Sequence, residues 1–95
     1  MYEWDEAKNQ TNIAKHGVGF MVARRIFEGF VLSYPDTRMD YGEVRCRAIG
    51  KVEGVVCLAV IHTHRGDIIR LISARRANCA ERAAYEEALR QRTDA

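Results

Sequence analysis

Apolar positions change period along the chain, and each change marks an element. Val55-Val56-Cys57-Leu58-Ala59-Val60-Ile61 is apolar on both faces, which predicts a strand at the centre of a sheet. Ile68-Ile69-Arg70-Leu71-Ile72 is a second short apolar run, bounded by Gly66-Asp67, and predicts another strand covered on both sides. Val44, Cys46 and Ala48 alternate with Arg45 and Arg47, the period of a half-buried strand. Val31-Leu32-Ser33-Tyr34 predicts a strand stopped by Pro35-Asp36, with a polar loop from Asp36 to Gly42. Tyr2-Glu3-Trp4 predicts a short edge strand.

Helical spacing fills the rest. Asp5 is placed to cap a helix that runs to His16 and ends at Gly17. That helix carries Lys8, Asn9, Gln10, Asn12 and Lys15 against only Ala7, Ile13 and Ala14, so it is expected on the surface. Phe20, Ala23, Ile26 and Phe27 form a stripe that predicts a core-facing helix from Phe20 to Glu28, capped by Gly19. Asn78 followed by Glu81 has capping-box spacing and predicts a last helix to about Arg90, with residues 91–95 as a frayed tail. The order is β-α-α-β-β-β-β-α. Short connections among the last four strands require antiparallel pairing. The expected fold is α+β, a mostly antiparallel sheet with helices packed on it, in one domain spanning residues 1–95.

Composition narrows the class. At 47% hydrophobic and 29% charged, the chain is an ordinary globule with a thin core. Its net charge of +2 says little alone, but between Val44 and Arg65 only Glu53 is acidic. No apolar run approaches the roughly 20 residues that span a bilayer. The N-terminus lacks a signal-peptide layout. Three cysteines without C-x-x-C spacing fit a reducing cytosol, so a cytoplasmic location is expected. His62 and His64 would share a face, but no third ligand stands nearby. No metal and no cofactor are expected.

The candidate chemistry is cationic. Arg70, Arg75 and Arg76 lie on or at the end of a strand that leads into a helix N-terminus, which favours an anion such as phosphate. Arg45 and Arg47 stand about 7 Å apart on one strand face. Lys15 and His16 close the first helix, where they either complement its dipole or line a phosphate-binding face. The residues alone leave simpler readings open. Arg75 and Arg76 could be solvated charges, and Arg70 could pair with a structural carboxylate.

Four segments together resemble the BrnT family of toxins. They are Glu3-Trp4-Asp5 with Ala7-Lys8, Asn12, Lys15-His16-Gly17-Val18 and Phe20; Ala23 with Ile26-Phe27; Glu43, Arg45 and Ile49-Gly50; and Arg65-Gly66-Asp67 through Tyr85-Glu86. Gly19 and Met21-Val22 depart from the family pattern, as do His62 and His64, which stand where an aromatic and a glutamate are common. The resemblance implies a RelE-like fold and a growth-arresting ribonuclease. It also implies a BrnA-type antitoxin with a ribbon-helix-helix part, through which alone the complex would meet operator DNA, and hence a hetero-oligomer.

RNA can be cut without metal when its own 2′-hydroxyl attacks the adjacent phosphorus, given a base, an acid and cations for the phosphorane. Expected catalytic residues are Arg70, Arg75 and Arg76 for the charge, with His16, His64 and Glu43 as acid and base candidates. Lys15, Arg45, Arg47 and Arg65 are expected to hold flanking phosphates. The alternative is a non-catalytic module that binds nucleic acid or a partner protein and leaves RNA intact.

Overall fold

The computed structural model describes residues 1–38 and 40–94, and for residues 93–94 the backbone alone. Its elements are β1 (Tyr2–Glu3), α1 (Glu6–His16), α2 (Phe20–Ala23), a 3₁₀ turn (Arg24–Glu28), β2 (Val31–Pro35), β3 (Arg45–Val52), β4 (Val56–Arg65), β5 (Ile68–Arg76) and α3 (Cys79–Asp94). The sheet order is β1-β5-β4-β3-β2, which puts the all-apolar β4 at the centre. Strands β2 to β5 pair antiparallel, as their short connections require. β1 lies parallel to β5, with Tyr2 opposite Ile69 and Glu3 opposite Arg70, so the sheet is mixed at that edge.

Each sheet face has its own core. On one, Phe20, Ala23 and Ile26 pack on Ala48, Leu58, Val60, Leu71 and Ala74. On the other, Tyr85 and Leu89 of α3 pack around Ile49, Cys57 and Ala59. The helix expected from Phe20 to Glu28 tightens to 3₁₀ after Ala23. Phe20, Ala23 and Ile26 are spaced by three, and a three-residue turn keeps such positions in line; all three are fully buried. Gly50 permits the close approach. A Cβ there would sit 2.9 Å from the Ile26 Cβ and 3.0 Å from the Val31 Cγ1.

α1 lies on the surface, as its polar composition predicts, and the side chains it buries are polar. Its buried positions are Asn9 and Asn12, while Ile13 is 41% exposed. Hydrogen bonding decides this. The Asn12 amide bonds Val18 and both main-chain groups of Ala74. Asn9 Oδ1 accepts the Phe20 N–H at 2.8 Å, supplying the cap that Gly19 has no side chain to make. Asp5 caps α1 through the Ala7 and Lys8 N–H groups, and Gly17 ends it with φ 71°.

α3 continues to Asp94, past the end expected near Arg90; Ala95 lies outside the described residues. The capping box is present. The Glu81 N–H donates to Asn78 Oδ1 at 2.8 Å, and the Asn78 N–H donates to Glu81 Oε1 at 2.9 Å. Among the described residues no helix is long and apolar enough to cross a membrane.

Candidate functional site

An irregularity in β5 sets up the site. Ile61 pairs with Ser73 but His62 pairs with Leu71, which leaves Ile72 as an extra residue. Leu71 and Ala74 therefore both face the α2 core. Ser73 and Arg75 face the opposite side, towards the part of the sheet beyond α3. There, Lys15 and His16 from the last turn of α1, Arg38 from the β2–β3 loop, and Ser73 and Arg75 line one cavity over Ala59 and Ile61. A groove continues from it along α1, past Lys15, Thr11 and Lys8.

Arg75 is held by a carboxylate. Its Nη1 donates to Glu81 Oε1 at 2.7 Å and its Nη2 to Glu81 Oε2 at 2.9 Å, and Nη1 also donates to the Arg76 carbonyl at 3.2 Å. Glu81 is 6% exposed and so brings Arg75 to the start of α3 through the same side chain that closes the capping box. Arg47 stands 3.5 Å from Glu81, and its buried Nε has no hydrogen-bond partner among the described residues. Arg75 hydrogen bonds, aided by the Asn78 N–H and opposed by burial, hold the Glu81 carboxyl below its ordinary range. The same contact raises Arg75, opposed by burial and by the nearby Arg38 charge. Arg38 is itself oriented by two bonds to Asp36, at 2.8 and 3.0 Å. Those bonds are the main reason the Asp36 carboxyl also lies low.

The residues expected at the site therefore separate. Lys15, His16 and Arg75 come together, with Arg47 joined through Glu81. Glu43, Arg45 and Arg65 form a second cluster: Glu43 lies 3.2 Å from Arg45 and 3.7 Å from Arg65, and Arg45 sits over the Tyr41 ring at 4.0 Å. Arg70 pairs with Glu3 across the β1–β5 edge, the structural pairing the residues had left open. Arg76 is exposed on the α2 side of the sheet, beside Val22 and Val56. His64 meets His62 edge-to-face at 5.2 Å, and His62 in turn meets Phe27 at 5.0 Å, so both histidines belong to the α2 side. Burial, and secondarily the neighbouring His64, pushes His62 below the ordinary imidazole range.

Arg38, Ser73 and Glu81 were missed as site residues. Arg38 is the one cation of the polar loop 36–42, which was a readable signal. Glu81 carries two tasks, and its spacing from Asn78 exposes only the capping one. What the cavity offers chemically is a fixed guanidinium, an ammonium, a second guanidinium and an imidazole on an open sheet face.

Three comparisons bear on what such a site belongs to. The family described as "Ribonuclease toxin, BrnT, of type II toxin-antitoxin system" matches residues 4–81. The crystal structure of the Brucella abortus ribonuclease toxin BrnT is similar at 36% identity and a TM-score of 0.61, covering 82% of this chain and 97% of that one. Among curated proteins none matches.

Proposed function

The chain belongs to the BrnT family of ribonuclease toxins of type II toxin–antitoxin systems, and from that premise we propose that it is a metal-independent endoribonuclease that cuts RNA in the Lys15–His16–Arg75 cavity. The observation that carries this is the state of the Arg75 guanidinium. Of its five N–H groups, three are taken by Glu81 and the Arg76 carbonyl. Nε–H and the second Nη2–H remain, and they lie on one edge. Two parallel donors on one edge match two oxygens of a phosphate.

In this reading a phosphodiester lies across Ser73 with two oxygens on Arg75. The 2′-oxygen attacks phosphorus in line, and its proton passes to the His16 imidazole, the side chain suited to proton transfer near neutral pH. Arg75, Lys15 and Arg38 stabilise the phosphorane charge. The P–O5′ bond breaks, and O5′ takes a proton from Lys15 or from water entering the open cavity. The products are a 2′,3′-cyclic phosphate and a 5′-hydroxyl. Lys8, Arg47 and the Arg45–Arg65 cluster hold flanking phosphates. A BrnA-type antitoxin with a ribbon-helix-helix part neutralises the toxin in the cytoplasm and alone carries the complex to operator DNA.

One observation favours the second reading, a binding module without catalysis. The carboxylates next to the site, Glu81 and Asp36, are both committed to arginines, which leaves His16 as the base candidate among the residues lining the cavity. One experiment separates the two. Labelled RNA is incubated with the protein in EDTA, beside the same RNA with a 2′-deoxy sugar at the cut site. Cleavage of the first only, ending in a cyclic phosphate and lost in Arg75→Ala, supports the ribonuclease. Salt-sensitive binding with intact RNA supports the module.

A further inference from the structure

The strongest unexplained surface lies on the α2 side of the sheet. Val22 of α2 faces Val52, Val56 and Leu58 of the β3–β4 hairpin across an apolar groove, with Arg76 at its rim. Past Val56 and Arg76 the groove continues round the end of the sheet to Val55 and to Lys51 and Arg82 on the α3 side. Val55 is 78% exposed, and Val22 and Val56 are exposed as well. Three valines on water along one groove in so small a domain mark a contact surface.

The wall is rigid. Val55 N–H donates to the Val52 carbonyl at 3.1 Å, and Glu53 and Gly54 between them have φ of 55° and 70°. Two successive positive φ values turn the chain tightly within the three residues between the paired Val52 and Val56. The Glu53 side chain is tied to Arg25 at 2.7 Å. Little ordering cost remains for this wall when a partner docks.

Charge identifies the occupant. Arg47, Arg70 and Arg75 each hold a carboxylate. Among the described residues Arg76 and Arg82 hold none; Arg82 reaches only the Cys79 sulfur at 3.3 Å, and Glu86 beside it is taken by Lys51. A valine-lined groove with unpaired arginines at its edge fits a segment that carries apolar side chains flanked by carboxylates. RNA fits poorly, since no aromatic ring lines either part of the groove to stack a base. A second copy of the chain fits poorly too, because a two-fold contact sets Arg76 and Arg82 against their own images.

We propose that this groove is where an acidic amphipathic segment of the cognate antitoxin docks, an inference that rests on the toxin–antitoxin reading. The antitoxin would then hold a groove that shares no lining residue with the Arg75 cavity. Val55 and Arg82 line the groove and belong to none of the residues assigned to cleavage or RNA binding, so changing them separates binding from catalysis.

The test is titration calorimetry of the purified toxin with purified cognate antitoxin, using wild type, Val55→Asp and Arg82→Glu. Each substitution is expected to weaken binding by about tenfold or more. RNA cleavage and the melting temperature of the free toxin stay at wild-type values, and the salt dependence of binding flattens in Arg82→Glu. If wild type binds and both variants bind within about twofold of it, the groove is not the docking site. If wild type does not bind the antitoxin at all, the partnership itself falls and the groove assignment with it. Concentration-dependent self-association of wild type, abolished by Val55→Asp, would overturn the assignment in favour of a second copy.

Discussion

The side-chain amide of Asn12 pairs with both main-chain groups of Ala74, donating to its carbonyl at 2.7 Å and accepting its N–H at 3.1 Å. One side chain thus does for β5 what another strand residue would do, just beyond the point where β1 ends. It also donates to the Val18 carbonyl at 2.8 Å, which fixes the chain after α1. The edge of β5 is closed where it leads into the candidate site.

Asn12→Leu keeps the bulk and removes all three bonds, leaving buried groups of Ala74 and Val18 unpaired. At about 1 kcal/mol or more for each stranded group, the expected loss is about 3 kcal/mol. Urea unfolding checks it: the midpoint should fall with an unchanged slope. A loss under about 1 kcal/mol would mean that water replaces the amide.

Glu81 gives a pH dependence whose sign is fixed. Arg75 hydrogen bonds depress its folded-state pKa. Its contribution is therefore fully present above the unfolded-state value, and it is lost as pH falls through the lower folded-state value. Stability should decline on acidification below about pH 4.5, and Glu81→Gln should flatten part of that decline. At neutral pH Glu81→Ala should cost about 2 kcal/mol, less than the roughly 3–5 of a fully enclosed pair, because Arg75 is partly exposed. Thermal melts of both proteins across the acid range decide this.

Much of the fold was legible because its signals are local. Asp5, Gly17 and the Asn78–Glu81 box sit within a few residues of the ends they cap, and the apolar run of β4 declares itself central. The face of α1 was not legible, since it is chosen by a bond between residues 62 apart. Nor was the grouping of the arginines. In a regular strand Arg70 and Arg76 share a face and Arg75 opposes them. The extra residue at Ile72 re-aims the strand, so that Arg75 looks out on the Arg70 side and Arg76 away from it. Residue types alone do not reveal such an insertion.

Gly50 offers a packing test that does not involve the site. An added Cβ must push on the Ile26 Cβ and Val31 Cγ1, both within 3.0 Å. Neither is the far end of a flexible chain, so Gly50→Ala should destabilise by about 1–3 kcal/mol through overpacking. Pairing it with Val31→Ala, which removes the Cγ1 that the new Cβ meets, should recover part of that loss. A purely additive double variant would disprove the contact as the cause.

The cavity assignment predicts a ranking among the cations that the sequence alone could not order. Arg75 offers a phosphate two donors on one edge while Glu81 holds the other end, and a lysine cannot do both. Arg75→Lys should lower the cleavage rate constant by about a hundredfold, as loss of a preorganised donor does. His16→Gln keeps hydrogen bonding but removes the base, and should cost about 10²–10⁴-fold. Arg70 is spent on Glu3, and His64 lies on the other side of the sheet, so Arg70→Ala and His64→Ala should cleave within about threefold of wild type once folded protein is counted, since neither removes a transition-state interaction. Single-turnover cleavage of one labelled RNA by the four variants gives the comparison. If His64→Ala falls as far as His16→Gln, the reacting phosphate lies on the α2 side of the sheet, and Arg75 binds RNA without touching the bond that breaks.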